Sequence, residues 1–195
     1  MSVQFRPTSR LLNAVLDAAR RGWPVFPLWP GSKRPAISGW PRQATCHPEV
    51  LTRWWTAAPY NVGIACGPAG LVVVDLDDPA AAPAEPLPPT YTVATPQGQH
   101  RYYTVPSGRP CRCTAGLLGP KVDTRAAGGY VVAAGSVRHA GGQQRRYRVT
   151  VPADVMPAPA WLLDALAPAG ASGRAGPGDR VNQLPRQARG SGAGR

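Results

Sequence analysis

The stretch Leu71-Val72-Val73-Val74-Asp75-Leu76-Asp77-Asp78 sets an apolar, mostly β-branched run directly against a cluster of acids. Side chains alternate along an extended strand, so Asp75 and Asp77 point to the same side. Burying two like charges there is costly unless a cation or water is shared between them. Mg2+ or Mn2+ suits such a pair, because hard divalent ions prefer carboxylate oxygens and keep positions for water and phosphate. A two-metal site of this kind activates an attacking hydroxyl and stabilises departing pyrophosphate. The bare Asp-x-Asp pattern also describes a solvated strand end. His100 taken alone reads as a hydrogen-bonded structural residue, Asp123 alone as a turn cap paired with Arg125, and Lys33 and Arg34 alone as surface charges. Their order and spacing together carry more than any one of them.

The elements that must position these residues follow from periodicity. Leu11, Leu12, Val15, Leu16 and Ala19 form one apolar helical face from a Ser9 cap to about Arg21, with Gly22 as terminator. Trp23–Leu28 reads as a short strand whose prolines restrict its pairing, followed by a turn-rich loop that carries Lys33 and Arg34. Pro48–Trp55 suits a helix with Pro48 in its first turn and Glu49 favourable to the dipole. Asn61–Gly67 reads as a strand. Leu71–Val74 reads as a buried central strand, apolar on both faces. Residues 79–90 are Ala/Pro-rich and irregular. Tyr91–Thr95 and Arg101–Val105 flank a turn with His100 at its base, and Lys121–Arg125 with Tyr130–Ala134 repeats that hairpin pattern around Gly128-Gly129. A last strand spans Arg146–Val151 and a short helix Ala160–Leu166.

Taken together, five segments resemble the archaeo-eukaryotic primase superfamily, specifically its bifunctional DNA primase/polymerase domain. The apolar strand ending Asp75-Leu76-Asp77 matches the first motif, and Thr95-Pro96-Gln97-Gly98-Gln99-His100 leading into Arg101-Tyr102-Tyr103 matches the second. Asp123-Thr124-Arg125 with Gly128-Gly129-Tyr130-Val131-Val132 and Gly135-Ser136 matches the third. Gly22–Pro35 resembles the family's opening, as do Trp54-Trp55 and Asn61–Ala65. The resemblance covers roughly residues 9–166. It implies an α+β primase-polymerase fold: a mixed, largely antiparallel palm sheet related to the RNA-recognition fold, flanked by helices. It implies further that Asp75, Asp77 and Asp123 bind Mg2+ or Mn2+ and are catalytic, and that His100 contacts the nucleotide triphosphate. Arg125, Lys33 and Ser136 are further candidates for phosphate contacts, with an Asp123–Arg125 ion pair as a competitor. Tyr102, Tyr103 and Tyr130 are candidates either for base stacking or for core packing.

The sequence departs from the family in a shortened connection at 79–90 and in Gln99, where glycine is common. No zinc-binding insertion is evident, and Cys46, Cys66, Cys111 and Cys113 fit no zinc spacing, so no structural zinc is expected. The helicase domain that often follows is not seen, which leaves open action alone, recruitment of a separate helicase, or descent from a decayed mobile element.

Charge is consistent with a polyanionic partner. The formal net charge is +12, of which residues 168–195 contribute five Arg and one Asp. The remainder is basic in its own right, as counterion release on nucleic acid favours; solubility is the competing explanation. The 24 Pro and 22 Gly cluster partly in 168–195, a segment too poor in apolar residues to offset its ordering entropy. The expected organisation is therefore a catalytic domain over 1–167 and a disordered Gly/Pro/Arg-rich tail over 168–195. Nothing in the sequence approaches a membrane span or a secretory leader, and a cytoplasmic protein is expected. The leading expectation is a template-directed primase/polymerase that uses NTP or dNTP on single-stranded DNA. A catalytically idle single-strand-binding module is the alternative, and a sugar-nucleotide transferase built on Asp-x-Asp is a third.

Overall fold

A computed structural model describes residues 9–168. The tail expected at 168–195 lies, apart from Pro168, outside the described residues. The chain opens with α1 (Ser9–Arg20), which buries Leu11, Val15 and Ala18 and ends at Gly22, whose φ of 73° is the left-handed value that closes helices. Next come β1 (Val25–Leu28), the short α2 (Trp40–Gln43), α3 (Pro48–Ala57), β2 (Asn61–Ala65) and β3 (Leu71–Leu76). The second half holds β4 (Thr92–Ala94), β5 (Gln99–Thr104), β6 (Val122–Arg125), β7 (Tyr130–Val132), β8 (Val137–Ala140), β9 (Gln143–Arg146), β10 (Arg148–Val151), β11 (Met156–Pro157) and α4 (Ala160–Ala165).

The strands form two main sheets. A three-stranded antiparallel sheet runs β1-β2-β7, and a larger one runs β10-β4-β5-β3-β6, with β11 pairing parallel to β5. Pro27, which has no N–H to donate, sits in the edge strand β1, where only one side pairs with a strand. The fold is α+β, as expected, with a largely antiparallel sheet.

β3 is apolar on both faces because both are covered. Leu71 and Val73 join a core with α1, α3, the smaller sheet, Val93 and Tyr102. Val72, Val74 and Leu76 pack on the opposite side with Tyr103, Val122, the α4 residues Leu162 and Leu163, and Leu166 at the helix end. Asp75 therefore emerges on the face that looks toward the smaller sheet.

Three expectations are corrected. Residues 122–125 and 130–132 do not form a hairpin: β6 pairs with β3, whereas β7 pairs with β2 in the other sheet. Between them the chain turns through Gly128, at φ 77°, and crosses from one sheet to the other. The strand read as 146–151 is broken at Tyr147, which is buried, so that β9 pairs with β8 and β10 pairs with β4. Finally, the hairpin expected around 96–100 is present as β4 and β5, but β5 begins at Gln99, two residues earlier than read, so that His100 lies within the strand just past the turn. The two-stranded β8–β9 ribbon was not anticipated from the sequence. It turns at Gly141-Gly142, both with positive φ, as a type I′ two-residue hairpin turn requires.

Candidate active site

Strand register brings the chemistry-bearing residues together. Asp75 is the direct antiparallel partner of His100 on one side and of Asp123 on the other. Directly paired side chains lie on the same face with Cβ atoms about 4.5–5.5 Å apart. His100, Asp75 and Asp123 thus form a row across β5, β3 and β6, and Asp77 continues it one pleat further along. The Asp77 N–H donates to the Lys121 carbonyl at 3.0 Å, which extends the β3–β6 ladder past the end of the strand.

Gly98 permits the approach of β5 to this end of β3. A Cβ at that position would collide with the Leu76 carbonyl and press on the Asp78 nitrogen. The preceding turn is braced by Thr95, whose hydroxyl accepts from the Gly98 N–H at 2.9 Å.

His100, Asp75 and Asp77 face a cleft made of two adjoining hollows of about 280 and 310 Å³, which share Lys33, Asp75, His100 and Tyr147; Asp123 lines neither. The first is completed by Arg125 and β7 with Tyr130; the second by Asp77, the Thr95–Gln97 turn, Arg138 and Arg145. A larger hollow of about 770 Å³ between α1 and β10 contains none of the acids or cations singled out in the sequence.

Within the cleft, His100 Nε2 lies 3.3 Å from Asp75 Oδ1. The contact is not aligned as a hydrogen bond: Asp75 Oδ1 and His100 Nδ1 are both buried without a hydrogen-bond partner. Burial works to raise the Asp75 pKa, but the His100 contact, with Lys33 and Arg125, outweighs it and holds the carboxyl below its ordinary value. Asp77 behaves in the opposite way. Burial, then the Asp75 charge and, more weakly, that of Asp123 raise its pKa against the pull of Lys33.

These features fit a hard divalent cation at Asp75 and Asp77. A buried carboxylate oxygen lacks a partner, its neighbour resists ionisation because of burial and then like charge, and the donors are all oxygen. Asp123 is on the same face, but its side chain is engaged elsewhere. Its Oδ2 accepts from Arg125 at 3.0 Å and its Oδ1 from the Gly116 N–H at 3.1 Å. Accordingly, no group of three potential metal ligands is assembled among the described residues.

Lys33 is exposed and lines both hollows, and its loop is held by a hydrogen bond from the Tyr130 hydroxyl to the Lys33 carbonyl, 2.9 Å. Arg125 lines the first hollow. Ser136 is corrected: it is fully buried, its Oγ accepts from the Val62 N–H at 3.0 Å, and it does not line the cleft. It ties the segment after β7 to β2 and is not carried forward as a phosphate contact. Tyr102 and Tyr103 are core residues, while Tyr130 reaches the cleft. Sequence reasoning missed Arg138, Arg145 and Tyr147. The basic run Gln143-Gln144-Arg145-Arg146-Tyr147-Arg148 was the available signal, but only the break at Tyr147 aims part of it into the cleft.

A largely antiparallel sheet thus opens Asp75 and Asp77 into a cleft that also holds Lys33, Arg125, Arg138 and Arg145. A family model for the bifunctional DNA primase/polymerase N-terminal domain matches residues 15–161, and the chain belongs to that family. None of the curated proteins matches it. No helix among the described residues is long and apolar enough to cross a membrane.

Proposed function

We propose that the chain is a template-directed primase/polymerase that joins NTP or dNTP units on single-stranded DNA, with Asp75, Asp77 and Asp123 as catalytic metal ligands. The observation that carries this reading is the double register of Asp75 with His100 and Asp123 at the mouth of a cleft that also contains Lys33. Asp75 and Asp77 would hold Mg2+ or Mn2+, and Asp123 would complete the set once released by Arg125. Bound there, the cation supplies electrophilic stabilisation of phosphoryl oxygens and lowers the pKa of an attacking hydroxyl. His100, packed between Asp75 and Tyr147, holds a phosphate oxygen of the nucleotide. Lys33 and Arg125 offset the negative charge that develops toward the leaving pyrophosphate.

The reading is tested with purified protein, Mn2+ or Mg2+, labelled nucleotides, and primed and unprimed single-stranded templates, beside Asp75→Ala/Asp77→Ala. Product with the native chain and none with the double variant supports it. One observation favours a second reading, an idle single-strand-binding module: Asp123 is already satisfied by Arg125 and Gly116. Strand binding by both proteins without product from either would establish that alternative.

A further inference from the structure

Asn61 is fully buried at the start of β2, yet its side chain makes three hydrogen bonds to two separate segments. Its Nδ2 donates to the Ser32 carbonyl at 2.9 Å and to the Val137 carbonyl, and its Oδ1 accepts from the Val137 N–H at 3.0 Å. One amide thus fastens the loop that carries Lys33 to the base of the β8–β9 ribbon. A second tie lies alongside, where the His139 N–H donates to the Gly31 carbonyl at 3.0 Å. Gly31 has a φ of 68°, and a Cβ there would meet the His139 ring at 2.5 Å, so this approach is close as well as bonded.

The ribbon carries two arginines that face the same way. Arg138 and Arg145 are direct partners in the β8–β9 ladder and both line the 310 Å³ hollow with Asp75, Asp77, His100 and Lys33. Arg145 is anchored at the far wall through a 3.0 Å bond from Nη1 to the Pro96 carbonyl. Among the described residues neither arginine has a carboxylate partner.

We propose that Asn61 is a positioning residue that makes Lys33, Arg138 and Arg145 one preassembled cationic wall, and that this wall takes the polyphosphate of the nucleotide. The inference deepens the reading of the cleft as a nucleotide site and rests on it. Contiguous phosphates concentrate their charge in a small volume, as these cations do around one hollow, whereas a nucleic-acid strand spreads one charge per nucleotide along a track. Guanidinium groups are suited to the task because they offer several N–H donors in a fixed plane to phosphate oxygens. Holding the wall rigid before binding spares the ligand the entropy of ordering a loop and a ribbon.

The test measures binding of inorganic tripolyphosphate with Mn2+, and separately of an oligodeoxythymidylate, to the full chain by calorimetry, so neither readout requires turnover. Arg138→Ala/Arg145→Ala is expected to weaken tripolyphosphate about tenfold, the loss of one or two charge-assisted bonds, and to leave the oligonucleotide within about twofold. Asn61→Ala is expected to weaken tripolyphosphate by a similar factor. Combined with the arginine pair, Asn61→Ala should add little, because it acts through them. Nucleotide incorporation by Asn61→Ala should show a raised KM with kcat less affected. Unchanged tripolyphosphate binding in the arginine variant overturns the proposal, as does a loss confined to the oligonucleotide, or an Asn61 effect that simply adds. The arginines lie on a surface ribbon, so their variant decides the question even where Asn61→Ala fails to fold. Tripolyphosphate binding through the wall without any nucleotide incorporation would sink the polymerase reading and leave the wall standing. Incorporation indifferent to the wall would do the reverse.

Discussion

His100 and Asp75 face each other across the β3–β5 ladder, with Nε2 3.3 Å from Oδ1, and each leaves a buried polar atom without a hydrogen-bond partner. Buried polar groups are normally hydrogen-bonded, so a pair left in this state at a cleft is consistent with the ligand role proposed for it. Asp75→Asn keeps the size and removes the charge. It should abolish at least about a hundredfold of nucleotide incorporation, the scale of losing a preorganised charge, while the thermal midpoint stays near that of the native protein. A variant that retains near-native incorporation would place the chemistry elsewhere.

Asp123 and Arg125 define a second expectation. The pair is partly exposed, so Arg125→Ala should change stability by no more than about 1 kcal/mol. It frees Asp123 to join Asp75 and Asp77, and the Mn2+ concentration at half-saturation, read by calorimetry without nucleotide, should fall. A rise or no change would mean that the ion pair does not withhold Asp123.

Gly98→Ala probes the turn before His100. The added methyl meets backbone, the Leu76 carbonyl and the Asp78 nitrogen, neither of which can rotate aside. β5 must then shift along β3. A destabilisation of about 1–3 kcal/mol is expected in urea titrations, together with lost incorporation at temperatures where the variant is still folded. Full activity in a stable variant would contradict the close approach.

Alkaline pH should weaken the fold through two buried groups. Burial pushes the Cys66 thiol well up from its ordinary 9.0, and burial likewise raises the Tyr147 hydroxyl from 10.0 to about 12. Both are acids whose neutral forms the folded state favours, so above pH 9 the unfolded chain releases protons first and stability falls with rising pH. The contribution is fully present below 9, and that of Tyr147 is lost between 10 and about 12. Urea midpoints taken from about pH 8 to pH 11 should decline, and the decline should flatten at its upper end in Tyr147→Phe. A midpoint independent of pH would refute this.

Single-stranded DNA binding should fall steeply with salt. If three phosphates are neutralised, affinity drops roughly twentyfold between about 50 and 200 mM salt. A flat profile, measured by fluorescence anisotropy, would separate the basic charge of the chain from strand binding.

Much of this protein was legible in its residues. The all-apolar run of β3 read as a buried strand covered on both faces, its alternation presented Asp75 and Asp77 on one side, and Gly22 marked where the chain closes a helix. These are local consequences of side-chain period and steric size, which act within a few residues. The partners of each strand are a different matter, because pairing depends on which apolar faces bury each other across the whole chain. Thus the tertiary structure alone separated β6 from β7, broke the last strand at Tyr147, and turned the ribbon's arginines toward the acids. It also gave Ser136 to β2, a choice that packing and competing hydrogen bonds make once distant segments meet, whereas the Asp123–Arg125 pair, two residues apart on one strand, was already open to the sequence.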